Sequence, residues 1–312
     1  MKNNPPCKEG KMNIVGLLQC FVTPSVLITQ LISAVSIAMI LFLVASGLSL
    51  IFGVLGLSNF AHGSFYMIGA YVTYTITSAL GYFWLALILA PITVGVLGLL
   101  MERFLVRRIY GSPHIFQFLL TFGCLLILDD GARFIWGFDY RSTGTPALFQ
   151  RPPLAFFGSA IPTYYVFIIV MGIFVALGLW IVLSKTQFGK LVNAAASDSD
   201  MTECLGIDVR LVYTLVFGVG ALLAGFAGVL AAPLRPAVPG MGFSIIIESF
   251  IVMVVGGVGS IKGVLLASFM IGLLRSFGSI GFPDYELFFP FFLVIVVLLI
   301  RPWGLFGNPI EE

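Results

Sequence analysis

From Met12 to Met101 the chain runs without one Asp, Glu, Lys or Arg, and further long apolar runs follow it to Arg301. A helix needs about 20 apolar residues to cross the hydrocarbon core of a bilayer. The apolar runs therefore predict membrane-crossing segments near 14–30, 31–53, 63–81, 83–105, 116–136, 163–184, 211–232, 245–258, 263–281 and 286–300. Helices are expected throughout, because a membrane barrel would show weaker, alternating strands. The fold class is all-α: a polytopic membrane helical bundle of roughly eight to ten segments, some short or broken. Residues 1–312 read as a single transmembrane domain, with 185–210 as its one long connection on the cytoplasmic side.

Polar interruptions inside such runs carry the next signal. Within Leu48 to Tyr71, the residues Gly53, Gly56, Asn59, His62 and Gly63 break the apolar text. A hydrogen-bonding break in lipid is costly unless it lines a cavity or is buried against protein. His62 is compatible with a hydrogen-bonded packing residue or with a ligand contact. No HExxH, GxSxG or paired catalytic carboxylates accompany it, which argues against an intramembrane enzyme. The run GGVGSIKG, Gly256 to Gly263, follows a segment too short to span comfortably and fits a re-entrant or broken helix. It lacks both GxxxxGK[ST] and GxGxxG, so no ATP-binding motif is expected in this chain.

Charge orients the segments. Arg103, Arg107 and Arg108 follow one, Lys185 and Lys190 another, and Arg301 the last. If crossings alternate, all three groups share a side, which the positive-inside rule makes cytoplasmic. Gly137 to Pro162 and the loop around Arg235 then lie outside, against a mild conflict from Arg141 and Arg151. The termini are both cytoplasmic if 14–30 crosses; otherwise the N-terminus lies outside. The stretch 137–162 is rich in Gly and Pro and predicts surface turns, with room for a short hairpin. It divides the chain near its middle, as between the two repeats of many transporters, although the self-similarity of the halves is too weak to establish a repeat.

The 312 residues are 59% hydrophobic and 10% charged, against roughly 25% charged in soluble domains. The formal net charge of +2 comes with no basic stripe, which excludes a nucleic-acid partner. Cys7, Cys20, Cys124 and Cys204 have neither metal spacing nor a paired pattern, so no metal or other cofactor is expected. The N-terminal stretch has a signal-like charge pattern without a clear cleavage site, and is read as an uncleaved first segment.

Within 185–210, Ala194, Ala195, Ala196, Met201, Cys204 and Leu205 can share a short helix, with Asp198, Asp200 and Glu203 on its polar face and Gly206 as its stop. Such a helix suits a protein partner or a solvated loop. Gly220, Ala224, Gly228 and Ala232 recur every fourth residue and predict a tight helix contact. Asp129, Asp130, Arg133, Glu248 and Arg275 fall inside expected crossings and must face protein or water. Asp129 and Arg133 are spaced to pair on one helix; Glu248 and Arg275 would have to meet across two.

Four stretches together resemble the LivH-type permease subunits of branched-chain amino-acid ABC importers: NFAHGSFYMIGAY (59–71), AAASDSDMTECLGIDV with FGVGALLAGFAGVLAAP (within 194–233), GGVGSIKGVLLASFMIGLL (256–274) and RPWGLFG (301–307). The resemblance covers about Leu31 to Gly307. It implies a permease domain in the bacterial inner membrane that serves ATP-driven uptake of branched-chain or related amino acids. The implied partners are a second homologous permease, two ATP-binding subunits, an extracytoplasmic solute-binding protein and membrane lipid. The stretch holding Ala194, Ala195, Asp198, Asp200, Glu203 and Gly206 becomes the expected ATPase-coupling element, and Asn59, His62 and Gly63 an expected part of the translocation path. Asn193, Thr202 and Ser64 stand where many relatives carry Arg, Ala and Glu, so docking contacts at the first two are expected to differ. The competing classes are an ion-coupled secondary transporter or channel, suggested by the acidic residues in the crossings, and an intramembrane hydrolase.

Overall fold

The apolar runs fold as helices in the computed structural model, which describes residues 24–307 apart from 151–153, 157–158, 282 and 287. In chain order these are α1 (Pro24–Leu55), α2 (His62–Leu80), α3 (Phe83–Phe104), α4 (His114–Trp136), α5 (Thr163–Lys185), α6 (Gln187–Ser197), α7 (Ser199–Cys204), α8 (Val209–Ala231), α9 (Met241–Gly256), α10 (Ile261–Gly281) and α11 (Phe288–Ile300). Strands β1 (Leu154–Phe156) and β2 (Ser159–Ile161) pair antiparallel between α4 and α5, a short hairpin in the expected loop.

Two expectations need correction. Among the described residues six helices, not eight to ten, are long and apolar enough to cross a membrane. The 16 residues of α9 and 13 of α11 are too few, and α2 carries too many hydroxyl groups along its 19. The boundary expected at residue 30 is not kept either: residues 24–30 open α1, whose 32 residues extend for about 48 Å, well beyond a hydrocarbon core of about 30 Å. The remainder of 14–30 lies outside the described residues.

Packing reveals an order that the sequence does not repeat. The first helix of each four-helix unit, α1–α4 and α8–α11, packs on the third helix of the other: α1 along α10, and α8 along α3. Each second helix, α2 or α9, packs on the other unit's first, and each fourth rests on its own unit's second. The units have opposite polarity. The start of α1 lies with the starts of α5 and the end of α10, through Ser36 to the Tyr165 carbonyl and Ser276 to the Gln30 carbonyl. The start of α8 lies at the other end, where Val209 and Val212 join Leu50 and Val54 of α1. We call these the hairpin end and the basic end; the latter carries the three basic groups that follow α3, α5 and α11.

Small residues let α8 sit at the centre. A Cβ on Gly220 would press on Ile51 and the Gly47 carbonyl of α1; one on Gly228 would collide with the Tyr66 carbonyl of α2. Backbones brought this close replace, by dispersion, a hydrophobic drive that lipid does not supply. The stripe Gly220–Ala224–Gly228–Ala232 is thus a packing surface. Around it Phe42, Phe65, Phe217 and Leu43 are fully buried, forming the core between the two units.

Candidate functional site

Between α1 and α2 the chain turns inside the bundle. Gly56 adopts φ +64°, a conformation costly for other residues, and its N–H donates to the Phe52 carbonyl. Asn59 and His62 are fully buried. His62 Nε2 donates to the Val44 carbonyl at 3.0 Å, which leaves Nδ1 without a partner among the described residues. Both side-chain atoms of Asn59 are likewise buried without one. Gly63 abuts Gly242, so that the second residue of α2 meets the second residue of α9, and a Cβ on Gly63 would fall on the Gly242 carbonyl. Ser64 points toward the Leu125 carbonyl of α4, at 3.5 Å, in the middle of that helix. The two shorter second helices therefore begin within the bundle. Asn59, His62 and Gly63 come together there, but none of them lines the described cavities.

A cavity of about 250 Å³ opens instead toward the hairpin end, between α1, α2, α8, α9 and α10. Tyr66, from the same NFAHGSFYMIGAY stretch, lines it with Arg235, Glu248 and Arg275. Glu248 and Arg275 do meet across helices, Nη1 to Oε2 at 2.6 Å. The same guanidinium also binds Glu286 at 3.1 Å. Arg275 is buried, and the two carboxylates compensate a charge that would otherwise cost several kcal/mol in the interior. Arg235 is exposed and makes no ion pair among the described residues. Sequence reasoning did not single out Tyr66, Arg235 or Glu286. A usable signal existed for Arg235: it stands between Pro233 and Pro236, with no acidic residue from Val209 to Ile247.

Asp129 and Arg133 pair as expected, at 2.6 Å, and Asp130 joins at 2.9 Å. Asp129 also accepts from the Gly240 N–H, which fixes the start of α9 to α4.

At the basic end the expected single coupling helix is two. Asp198 interrupts it with an extended φ of −156° and caps α7 through its carboxylate, which accepts from the Met201 N–H at 2.9 Å. Ala194 and Ala195 belong to α6; Ala195, with Val192, packs under the ends of α1 and α8. Asp200 and Glu203 lie on α7 and are exposed. Gly206 is a true stop: it adopts φ +82°, its N–H donates to Glu203, and the Ile207 N–H donates to Thr202, a Schellman closure. The resulting knob shows Met201 and Leu205, 59% and 74% exposed, framed by Asp198, Asp200 and Glu203. Thr202 faces inward, its hydroxyl on the Asp198 carbonyl at 2.6 Å, so its difference from the family pattern does not alter the exposed surface directly.

Two further devices hold this end. Glu102, fully buried, accepts from Arg107 and from Tyr110 at 2.6 Å, while Arg107 reaches Thr214 of α8. Burial, and then the hydrogen bond to Glu102, push the Tyr110 phenol up from its ordinary value, so it stays neutral and donating. GGVGSIKG forms a tight turn between α9 and α10, not a re-entrant loop. The residues of RPWGLFG strap it: Leu305 N–H donates to Val255 and Phe306 N–H to Gly256. Among the described residues, no group of three His, Cys, Asp or Glu side chains could hold a metal ion. Cys124 is buried and Cys204 exposed, both as free thiols.

Comparison with known proteins identifies the family. The family described as branched-chain amino acid transport system, permease component, matches residues 30–298. The chain is 31% identical to the high-affinity branched-chain amino acid transport system permease protein BraD of Pseudomonas aeruginosa, over 91% of this chain and 96% of that one. It is 30% identical to LivH of Salmonella typhimurium, again over 91% and 96%. LivM of Escherichia coli, also a branched-chain amino acid permease, is 24% identical over 95% of this chain and 75% of its own. No solved structure matches. Matched across both four-helix units and the knob between them, this chain belongs to the permease component family of branched-chain amino acid transport systems, as a multi-pass membrane protein.

Proposed function

We propose that the chain is the transmembrane permease subunit of an ATP-driven importer of branched-chain or related amino acids in the bacterial inner membrane. The observation that carries this reading is the α6–α7 knob, joined to a family match that spans the bundle. α6 is buried against the ends of α1 and α8, the first helices of the two inverted units, while α7 is presented outward. A partner that pushes on α7 moves both units at once. An ATP-binding subunit, closing on nucleotide, shifts the membrane equilibrium through its different affinity for the two states.

On this reading the domain spans 1–312 and the basic end faces the cytoplasm, in accord with its basic residues. The short apolar helices α9 and α11 pack within this bundle beside the longer ones, α9 starting from inside it. A LivM-like second permease is the natural partner, since this chain is similar to both LivH and LivM. Two ATP-binding subunits and an extracytoplasmic solute-binding protein complete the machine. Asn59, His62 and Gly63 belong to the translocation path as its pivot: Asn59's buried amide, without partners in this state, is a cost that hydration in a second state would relieve. The relatives are transport subunits, and chemistry at His62, hydrogen-bonded only to a carbonyl, has no support.

The test is purification of the tagged chain from its host, identification of the co-purifying proteins, and reconstitution of the complex with radiolabelled leucine. ATP-dependent uptake that requires the binding protein is the expected result. Uptake that follows an ion gradient without ATP would overturn it.

A further inference from the structure

We infer that the cavity at the hairpin end is a subsite for the zwitterionic backbone of an amino acid, with Arg235 taking the carboxylate and Glu248 the ammonium. This rests on the permease reading and deepens it, because no comparison assigns a ligand contact to any of these residues.

The charge arrangement is the reason. One guanidinium, Arg275, serves two carboxylates, Glu248 and Glu286, at 2.6 and 3.1 Å. That triad carries one net negative charge. Arg235 lines the same cavity and has no ion-pair partner among the described residues, so it supplies the one positive charge left over. With Glu286, which pairs with Arg275 from outside the lining, the charges sum to zero but stand apart, which is the pattern of a zwitterion reversed. Only Oε2 of Glu248 is engaged by Arg275; Oε1 has no protein partner among the described residues.

Tyr66 adds a hydroxyl that donates to no described residue, within electrostatic reach of Arg235, Glu248 and Arg275. Ile37, Ile40 and Ile245 give the same lining an apolar part that suits an aliphatic side chain. A volume of about 250 Å³ is enough for one small amino acid. Leu234, also in the lining, is 37% exposed and gives the cavity a solvent-facing edge.

Two measurements on the reconstituted importer test this. In the first, Arg235→Gln lowers leucine uptake about tenfold or more, as expected for loss of a charge-assisted contact, whereas Arg235→Lys retains most of it; subunit co-purification, which reports folding and assembly, is the same for both variants as for the wild type. In the second, Leu234→Cys is labelled by a membrane-impermeant maleimide. Millimolar leucine slows the labelling, while leucinol, lacking the carboxylate, and 4-methylpentanoate, lacking the ammonium, do not. Wild-type uptake with an unaffected Arg235→Gln variant, equal protection by all three solutes, or a Leu234→Cys thiol closed to the reagent would each overturn the subsite while leaving the permease reading intact. A wild-type complex that takes up no amino acid would overturn both.

Discussion

The breaks that precede α2 and α9 are built on one plan and used differently. Each follows a long first helix, each opens a shorter second helix within the bundle, and their second residues, Gly63 and Gly242, meet backbone to backbone. The first break is charge-free and buries Asn59 and His62, whose side chains are short of partners among the described residues. The second is tied to α4 through Asp129 and exposes Arg235 to a cavity. Inverted architecture therefore does not impose symmetric chemistry: the first break buries neutral polar groups, and the second gives a charged cavity its polar wall. In a transporter, this is how two similar halves can divide hinge and binding duties.

The largest expected effect falls on the polar wall. Arg275→Met leaves Glu248 and Glu286 unpaired and should cost about 3–5 kcal/mol, seen as a lowered unfolding temperature in detergent. Combining it with Glu248→Gln and Glu286→Gln should restore most of that stability; a triple variant as unstable as the single one would contradict the charge account. Gly63→Val comes next, because its side chain enters the Gly242 carbonyl and Ile246. Overpacking of this kind costs about 1–3 kcal/mol, and folded yield in membranes should drop. Equal yield would mean that the two second helices do not meet there.

Smaller effects separate coupling from packing. Reversing Asp198, Asp200 and Glu203 together to Lys should reduce ATP-binding-subunit co-purification about tenfold while membrane insertion persists, since all three are exposed. Asp198 also caps α7, so Asp198→Asn, which keeps the cap, is the control for lost charge alone. Unchanged co-purification across the set would remove the coupling assignment. Asn59→Ala should change stability least, within about 1 kcal/mol, because a side chain without partners gives up no hydrogen bond. Its transport rate sharpens the comparison: a drop places the amide on the path in another state, and a wild-type rate makes the first break packing only.

Helix positions were legible because long apolar runs leave few alternatives, and the bounds of α2, α3, α4, α5, α8 and α10 each fall within two residues of expectation. The pairing Asp129–Arg133 was legible because both lie on one helix. Tertiary relations were not. That Arg275 would gather a second carboxylate from a turn eleven residues on, or that Tyr66 would share a cavity with Arg235, depends on which helices pack together. The reciprocal order of the two units is a fact of packing as well, carried by small residues on α8 that read simply as a contact stripe. The split of the coupling element at Asp198 had a visible cause, an acidic N-cap residue before Ser-Asp-Met, but its competition with a continuous helix depends on α6 docking under α1.

The RPWGLFG strap carries a consequence for biosynthesis. Its residues Leu305 and Phe306 latch carbonyls of Val255 and Gly256, about fifty positions earlier in translation. At about 5–20 residues per second, the turn spends on the order of 3–10 s in the nascent chain before its latch is made. During that interval the last carbonyls of α9 lack these two donors, so a chain cut short within α11 keeps unpaired acceptors at the end of α9, a mark that membrane quality control can read.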